Sequence, residues 1–221
     1  DGSADVTAFE RANCSGNSAL RGGVAFVSGG GALSVNGSRF VENTVEGDGG
    51  VVYLDTNAKY TSHDDVYAGS SADGSGAVVF ASLLTRLSIR GARFERGHAG
   101  LDGAALYLNA ADSLKLESST FEANTAHRFG GSVYLFSQRT PARARGCVFR
   151  ANEAERDGGA LYLAASEAAL DACVLDANEA ENGAGALLDD GSALVLRGSS
   201  LAGNAAGLGT TRGAGGAVVV L

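Results

Sequence analysis

The chain has 221 residues, enough for one domain with a sizeable core, and its net charge of −8 argues against a rod built to bind nucleic acid, since phosphate binding needs a basic balance. Glycine is very high at 33, with one Pro and no Met or Trp, a profile that alone would read as low complexity. The 45% of hydrophobic residues, recurring at regular intervals, excludes that reading, and no apolar run is long enough to span a membrane as a helix.

Two signatures alternate along the chain. The first is an apolar residue followed three positions later by Asn or Gly. Its apolar members are Cys14, Phe40, Val66, Phe94, Phe121, Phe149, Leu175 and Leu201, spaced by 26 to 28 residues. The partners three residues on are Asn17, Asn43, Gly69, Gly97, Asn124, Asn152, Asn178 and Asn204. The second signature is a pair of small residues followed by a short strand, as in Gly22-Gly23-Val24-Ala25-Phe26, Gly49-Gly50-Val51-Val52-Tyr53 and Gly130-Gly131-Ser132-Val133-Tyr134. A third, weaker strand lies between them, as in Ala32-Leu33-Ser34-Val35 and Leu114-Lys115-Leu116.

Short runs with period-two alternation, separated by turn residues and repeated at a fixed interval, specify a β-solenoid and not a helical repeat. The expectation is a single all-β domain over 1–221, a right-handed parallel β-helix. It has about seven to eight coils of roughly 27 residues, with three short strands in each. The chain opens at Asp1 and ends in the apolar strand Ala217-Val218-Val219-Val220-Leu221, so it reads as a segment of a longer protein. The region 205–214 reads as the one clear insertion.

The recurring Asn has a physical job. A tight turn needs residues that tolerate the left-handed conformation, and inward turn groups must find hydrogen bonds. An amide both donates and accepts, so Asn17, Asn43, Asn124, Asn152, Asn178 and Asn204 are expected to form a structural ladder from coil to coil.

The alternation of Gly-Gly-Ala-(Leu/Val)-Tyr with Phe-x-x-Asn resembles the repeat of the polymorphic outer-membrane protein family of chlamydial autotransporters, within the pectin-lyase-like class. The best copies are Phe121 and Asn124 with Gly130-Gly131, and Phe149 and Asn152 with Gly158-Gly159-Ala160-Leu161-Tyr162. That resemblance covers nearly the whole chain. It implies an extracellular or cell-surface β-helix of passenger or adhesin type.

Enzymes of the pectin-lyase-like class carry a cleft walled by long loops. Here the coils are nearly uniform, which favours a rod over a carbohydrate-active lyase or hydrolase. The best catalytic candidates are His63, Asp64 and Asp65, with Arg86 or Arg90 about one strand and turn later. Asp64 stands in a register otherwise filled by Ala12, Ser38, Ala92, Ser119, Cys147, Cys173 and Ser199, so it is either turned outward or buried for a reason. Asp48, Asp102 and Asp157 share one register before the small pair, and with neighbouring glutamates form an acidic edge where Ca²⁺ is the one conceivable metal. The plainer reading for these carboxylates is solvated turns.

Cys147 and Cys173 occupy equivalent positions on adjacent coils and are expected to be buried, reduced thiols, with Cys14 a small core residue. Tyr53, Tyr107, Tyr134 and Tyr162 share a column with Phe26, broken at Val79 and ended by Leu188 and Val219. The flanking aliphatics point inward, which turns the Tyr column outward, either as a face for glycans or protein partners or as a stack stabilising the sheet. Asn13 and Asn36 open N-glycosylation sequons. The composite expectation is an extracellular structural or adhesive rod without catalysis, acting with protein partners in a surface or filament assembly. A carbohydrate-binding module or a carbohydrate-active enzyme is the alternative.

Overall fold

A computed structural model describes residues 6–207 and 213–221. Among these residues the fold is all-β, a parallel solenoid of about seven turns with coils about 27 residues apart. Residues 208–212 of the expected insertion at 205–214 lie outside the described residues. Each coil contributes to four sheets, and each sheet holds eight strands, every one paired in parallel with its counterpart in the next coil.

Sheet A is built from five-residue strands such as Lys59–His63 and Arg86–Arg90, whose alternating exposure follows the two-residue period of a half-buried strand. Sheet B has three-residue strands such as Arg39–Val41 and Arg93–Glu95. Sheet C has two-residue strands such as Thr44–Val45 and Ser71–Ala72. Sheet D has strands of three or four residues such as Val52–Leu54 and Leu106–Asn109. The expectation of three strands per coil is therefore corrected to four. Sheet C escaped notice because two residues are too few to display a period.

The corners follow from backbone sterics. Between sheets A and B each coil places one residue in the left-handed region, as at Gly37 (φ 57°), Asp64 (φ 55°) and Gly91 (φ 64°). Sheets B and C are joined the same way, as at Glu42 (φ 54°), Gly69 (φ 63°) and Arg96 (φ 53°). At the corner before sheet D, Gly22, Gly49, Gly76 and Gly103 take the left-handed region, and the residue after them is Gly or Ala. A Cβ on Gly50 would collide with the carbonyl oxygen of Ala77 in the next coil.

Inside, one apolar core runs along the axis. Its spine is a column of stacked rings from sheet B: Phe40 on Tyr67 with centroids 5.1 Å apart, Tyr67 on Phe94 at 4.8 Å, Phe94 on Phe121 at 4.7 Å and Phe121 on Phe149 at 4.8 Å. Cys14 pairs in register with Phe40 at the head of this column. At the B–C corner the side chains of successive Asn residues meet. Asn124 Nδ2 donates to Asn152 Oδ1 at 3.0 Å and to the Phe94 carbonyl at 3.0 Å, and Asn152 Nδ2 donates to Asn178 Oδ1 at 3.0 Å. Asn17 Nδ2 donates to Asn43 Oδ1, and Asn178 Nδ2 to Asn204 Oδ1, both at 2.8 Å.

The coil from Lys59 onward corrects the register. Tyr67, not Val66, stands between Phe40 and Phe94. Ser70, not Gly69, follows Asn43, whose amide donates to Ser70 Oγ at 3.4 Å. Asp65, not Asp64, fills the slot of Ser38 and Ala92, because Val66 pairs with Arg39 and Arg93. In sheet D, Phe80 rather than Val79 continues the aromatic column, and Leu187 rather than Leu188 ends it. A slip of one residue exchanges the two faces of a strand, so each correction reverses which side chain is inside.

Candidate functional site

The register shift puts four polar side chains of one coil inside the solenoid. Tyr60 replaces the leucines of its column, Leu33 and Leu87, and Ser62 stands where Val35 and Ile89 stand in neighbouring coils. Tyr67 takes the phenylalanine slot and Asp65 the small-residue slot. All four are sealed: Tyr60 is 1% exposed, Ser62 2%, and Asp65 and Tyr67 0%.

They form one hydrogen-bonded chain. Asp65 Oδ1 accepts the Ser38 amide at 2.7 Å, and Asp65 Oδ2 accepts the His63 amide at 2.9 Å and the Ser62 hydroxyl at 2.7 Å. Ser62 Oγ lies 2.9 Å from the Tyr67 hydroxyl, which in turn contacts the Tyr60 hydroxyl. Each hydroxyl has a single proton, so an ionised carboxylate fixes the direction. Ser62 donates to Asp65, Tyr67 to Ser62, and Tyr60 to Tyr67. Burial pushes the Asp65 carboxyl above its ordinary range, against the pull of its three donors. Burial also raises both tyrosine hydroxyls, which stay neutral donors.

The candidate catalytic set is thereby divided. Asp65 lies in the core, within reach of no substrate. His63 and Asp64 lie outside, with His63 Nδ1 3.3 Å from Asp64 Oδ2 and both side chains about half exposed or more. The expectation that Asp64 intrudes on a small-residue slot is corrected: Asp64 is the left-handed corner residue, the position of Gly37 and Gly91 in the flanking coils.

The three aspartates of the acidic edge are kept apart. Ser75 and Phe129 occupy the intervening coils, so Asp48 and Asp102, and likewise Asp102 and Asp157, sit two coils apart, roughly 10 Å by the rung spacing. Each instead ties its coil to the next. Asp48 Oδ1 accepts the Ser75 amide at 2.8 Å, and Asp157 Oδ1 accepts Asn182 Nδ2 at 2.8 Å. Asp102 accepts Arg128 Nη2 at 2.6 Å, while its burial raises its carboxyl above the usual range. Among the described residues, no three or more His, Cys, Asp or Glu side chains converge as a metal site.

The tyrosine column does face away from the main core, opposite Val52, Leu54, Leu106 and Leu108. Its ring faces, however, meet one another. Tyr53 stacks on Phe80 at 4.7 Å, Phe80 on Tyr107 at 4.9 Å, Tyr107 on Tyr134 at 5.0 Å and Tyr134 on Tyr162 at 5.2 Å. Phe26 caps one end against Tyr53, and Phe129 leans over Tyr162. Tyr53 and Tyr162 are only 8% and 7% exposed. The Tyr162 hydroxyl donates to Asp189 Oδ2 at 2.9 Å, and burial pushes the Tyr107 hydroxyl up to about 12. What remains outward is ring edges, not the flat faces on which a sugar stacks.

Cys147 and Cys173 are buried free thiols on adjacent coils, and Cys14 is a half-buried one. The neighbouring Cys173 thiol and burial together push the Cys147 thiol up, while each thiol donates to a carbonyl two residues back, Cys147 to Arg145 and Cys173 to Asp171, both at 3.5 Å. Asn13 and Asn36, of the two sequons, are both exposed.

Tyr60, Ser62 and Tyr67 were not singled out from the sequence. The available signal was compositional: at spacings of 27 residues, hydroxyls replace Leu33, Val35 and Phe40 in one coil only. No protein-family profile matches this chain, and neither does any curated protein or solved structure.

Proposed function

We propose that this chain is an extracellular structural or adhesive rod that performs no catalysis and works as a segment of a larger surface assembly. One observation carries this reading: among the described residues, the network that joins a catalytic candidate to other polar side chains, Asp65 with Ser62, Tyr67 and Tyr60, is closed inside the solenoid. Outside, the corners between sheets A and B each turn on a single left-handed residue, and the exposed pair His63 and Asp64 lies at one of them.

The polar groups of the corners are used between coils. An asparagine ladder, the inter-coil bonds of Asp48, Asp102 and Asp157, and two columns of stacked rings all bind one coil to the next. Ties of this kind between successive coils suit a structural rod. The repeat's likeness to chlamydial surface proteins of the pectin-lyase-like class supports the extracellular setting. No helix among the described residues is long and apolar enough to cross a membrane.

The reading is tested by incubating the chain with a panel of neutral and acidic polysaccharides, with and without Ca²⁺. New reducing ends and unsaturated products are then measured. The expected result is no turnover with the chain intact. Turnover that disappears in Asp64→Ala would replace the rod with an enzyme.

A further inference from the structure

Sheet A is the broadest face of the rod, and its outward side chains lie in three columns. In the strands Lys59–His63, Arg86–Arg90, Ser113–Glu117 and Ala142–Arg145 these columns hold Lys59, Arg86, Arg90, Lys115, Arg143 and Arg145 against one anion, Glu117. All six cations are exposed. Four coils of a chain with net charge −8 thus gather six of its 17 Lys and Arg on one flat face.

Three of these cations, Lys59, Lys115 and Arg143, have neither an ion pair among the described residues nor an in-register anion. Arg86 pairs with Asp112 at 2.6 Å. Lys59, Arg90, Lys115, Arg143 and Arg145 enter no ion pair among the described residues. Two in-register contacts set like charges side by side: Lys59 beside Arg86, and Lys115 beside Arg143. Such pairs destabilise a sheet. They contrast with the neighbouring column, where Arg90, Glu117, Arg145, Asp171 and Arg197 alternate in sign. A shallow hollow here is lined by Lys115, Arg143 and Arg145 of the two columns, with Glu117 and Asp171 of the alternating column at its side.

We propose that this face of sheet A binds a linear sulfated polysaccharide laid along the rod axis. Successive coils offer a cation about every 4.8 Å, comparable with the length of one sugar unit, so charge on the ligand and charge on the rod keep step. Guanidinium groups hold sulfate oxygens in bidentate fashion, and sulfate keeps its charge across the ordinary pH range. A nucleic acid fits less well. The outward positions of these four strands hold no Phe, Tyr or Trp on which a base could stack. The site would supply the adhesive contact of the rod and depends on that reading only for its biological setting.

The test is binding to immobilised heparin across a salt series. The wild type, Arg143→Glu/Arg145→Glu and the control Arg96→Glu/Arg150→Glu are compared, the two variants having the same net charge and their β-signal checked by circular dichroism. The wild type is expected to bind with strong salt dependence. The sheet A variant should lose at least about tenfold in affinity, with a shallower salt slope, while the control stays near wild type. Chemically desulfated heparin and duplex DNA should compete poorly. Failure of the wild type to bind at low salt, equal loss in both variants, or equal competition by desulfated heparin or DNA would overturn the proposal. Reducing ends are assayed on the same samples: cleavage of the probe would sink the rod reading while leaving the site, and absent binding without cleavage would do the reverse.

Discussion

Asp65 Oδ1 accepts the amide proton of Ser38, one coil away, at 2.7 Å, so a carboxylate fills the role that a small side chain plays in the other coils. Elsewhere a serine hydroxyl takes this bond, as when Ser38 Oγ accepts the Ala12 amide at 3.0 Å and Ser199 Oγ the Cys173 amide at 3.0 Å. Asp65 adds a second oxygen that gathers His63, Ser62 and, through Ser62, two tyrosines. Removing the carboxylate leaves three buried donors unsatisfied. Asp65→Ala is expected to cost about 3 kcal/mol in urea unfolding. Asp64→Ala, one residue earlier on the exposed corner, should cost under about 1 kcal/mol. Similar losses for the two would show that the polar chain contributes nothing beyond a turn.

The same carboxylate makes stability depend on pH in an unusual direction. An unfolded aspartate titrates near 3.9. Burial raises Asp65 above this in the fold, so the folded state keeps a proton that the unfolded state releases. The stability this contributes is complete below the unfolded pKa and is lost as pH rises through the folded one. Asp102, also raised by burial, adds in the same sense. Across urea midpoints taken from pH 3 to 7, the wild type should lose ground relative to Asp65→Asn as pH rises. A constant difference would mean that Asp65 titrates alike in the folded and unfolded states, and a wild type that gained ground with rising pH would mean that the donors hold it ionised.

The apolar core has a thin stretch. Around Ala142, Ala144 and Ala168 sheet A presents methyl groups where neighbouring coils present leucines, and a small hollow opens toward Leu116, Leu135 and Phe149. Ala144→Val should fill part of it in a strand that favours β-branching. The expected gain is about 0.5–1 kcal/mol. A lower thermal midpoint would indicate that the hollow is too narrow for two methyls.

The Asn152 side chain makes four hydrogen bonds at its corner. Its Oδ1 accepts the Asn124 amide at 3.1 Å and Asn124 Nδ2 at 3.0 Å, and its Nδ2 donates to the Phe121 carbonyl and Asn178 Oδ1, both at 3.0 Å. Asn152→Ala should therefore cost about 2–4 kcal/mol. Asn17 lies at the exposed end of the series, and Asn17→Ala should cost under about 1 kcal/mol. Chemical unfolding of the two variants in parallel separates a buried inter-coil tie from a turn preference.

Gly50→Ala is expected to prevent folding or to cost more than about 3 kcal/mol, because the added methyl meets the Ala77 carbonyl in the next coil. Gly29→Ala meets nothing within 4 Å and carries only the strain of its φ of 61°, about 1 kcal/mol. Expression yield and thermal midpoint would rank them. Equal behaviour would mean that the corner before sheet D can open without loss.

Period, parallel stacking and the identity of most inward residues were legible in the sequence. They depend on residue type at a fixed spacing, and burial of alternate side chains follows from strand geometry alone. Phe121 and Phe149, or Leu106 and Leu108, can occupy no other side of their strands. The stacking of Cys147 beneath Cys173 was legible for the same reason.

Sheet C, the one-residue slip after Tyr60 and the convergence of charge on sheet A were decided only by tertiary structure. A two-residue strand carries no period. Val66 and Tyr67 are both acceptable core residues, and only simultaneous pairing with Phe40 and Phe94 chooses between them. That choice buries Asp65, exposes Asp64 and turns an apparent catalytic pair into one structural and one corner residue. The basic columns likewise consist of residues about 27 positions apart in a chain acidic overall. They become a surface only when hydrogen bonding between coils brings Lys115 alongside Arg143.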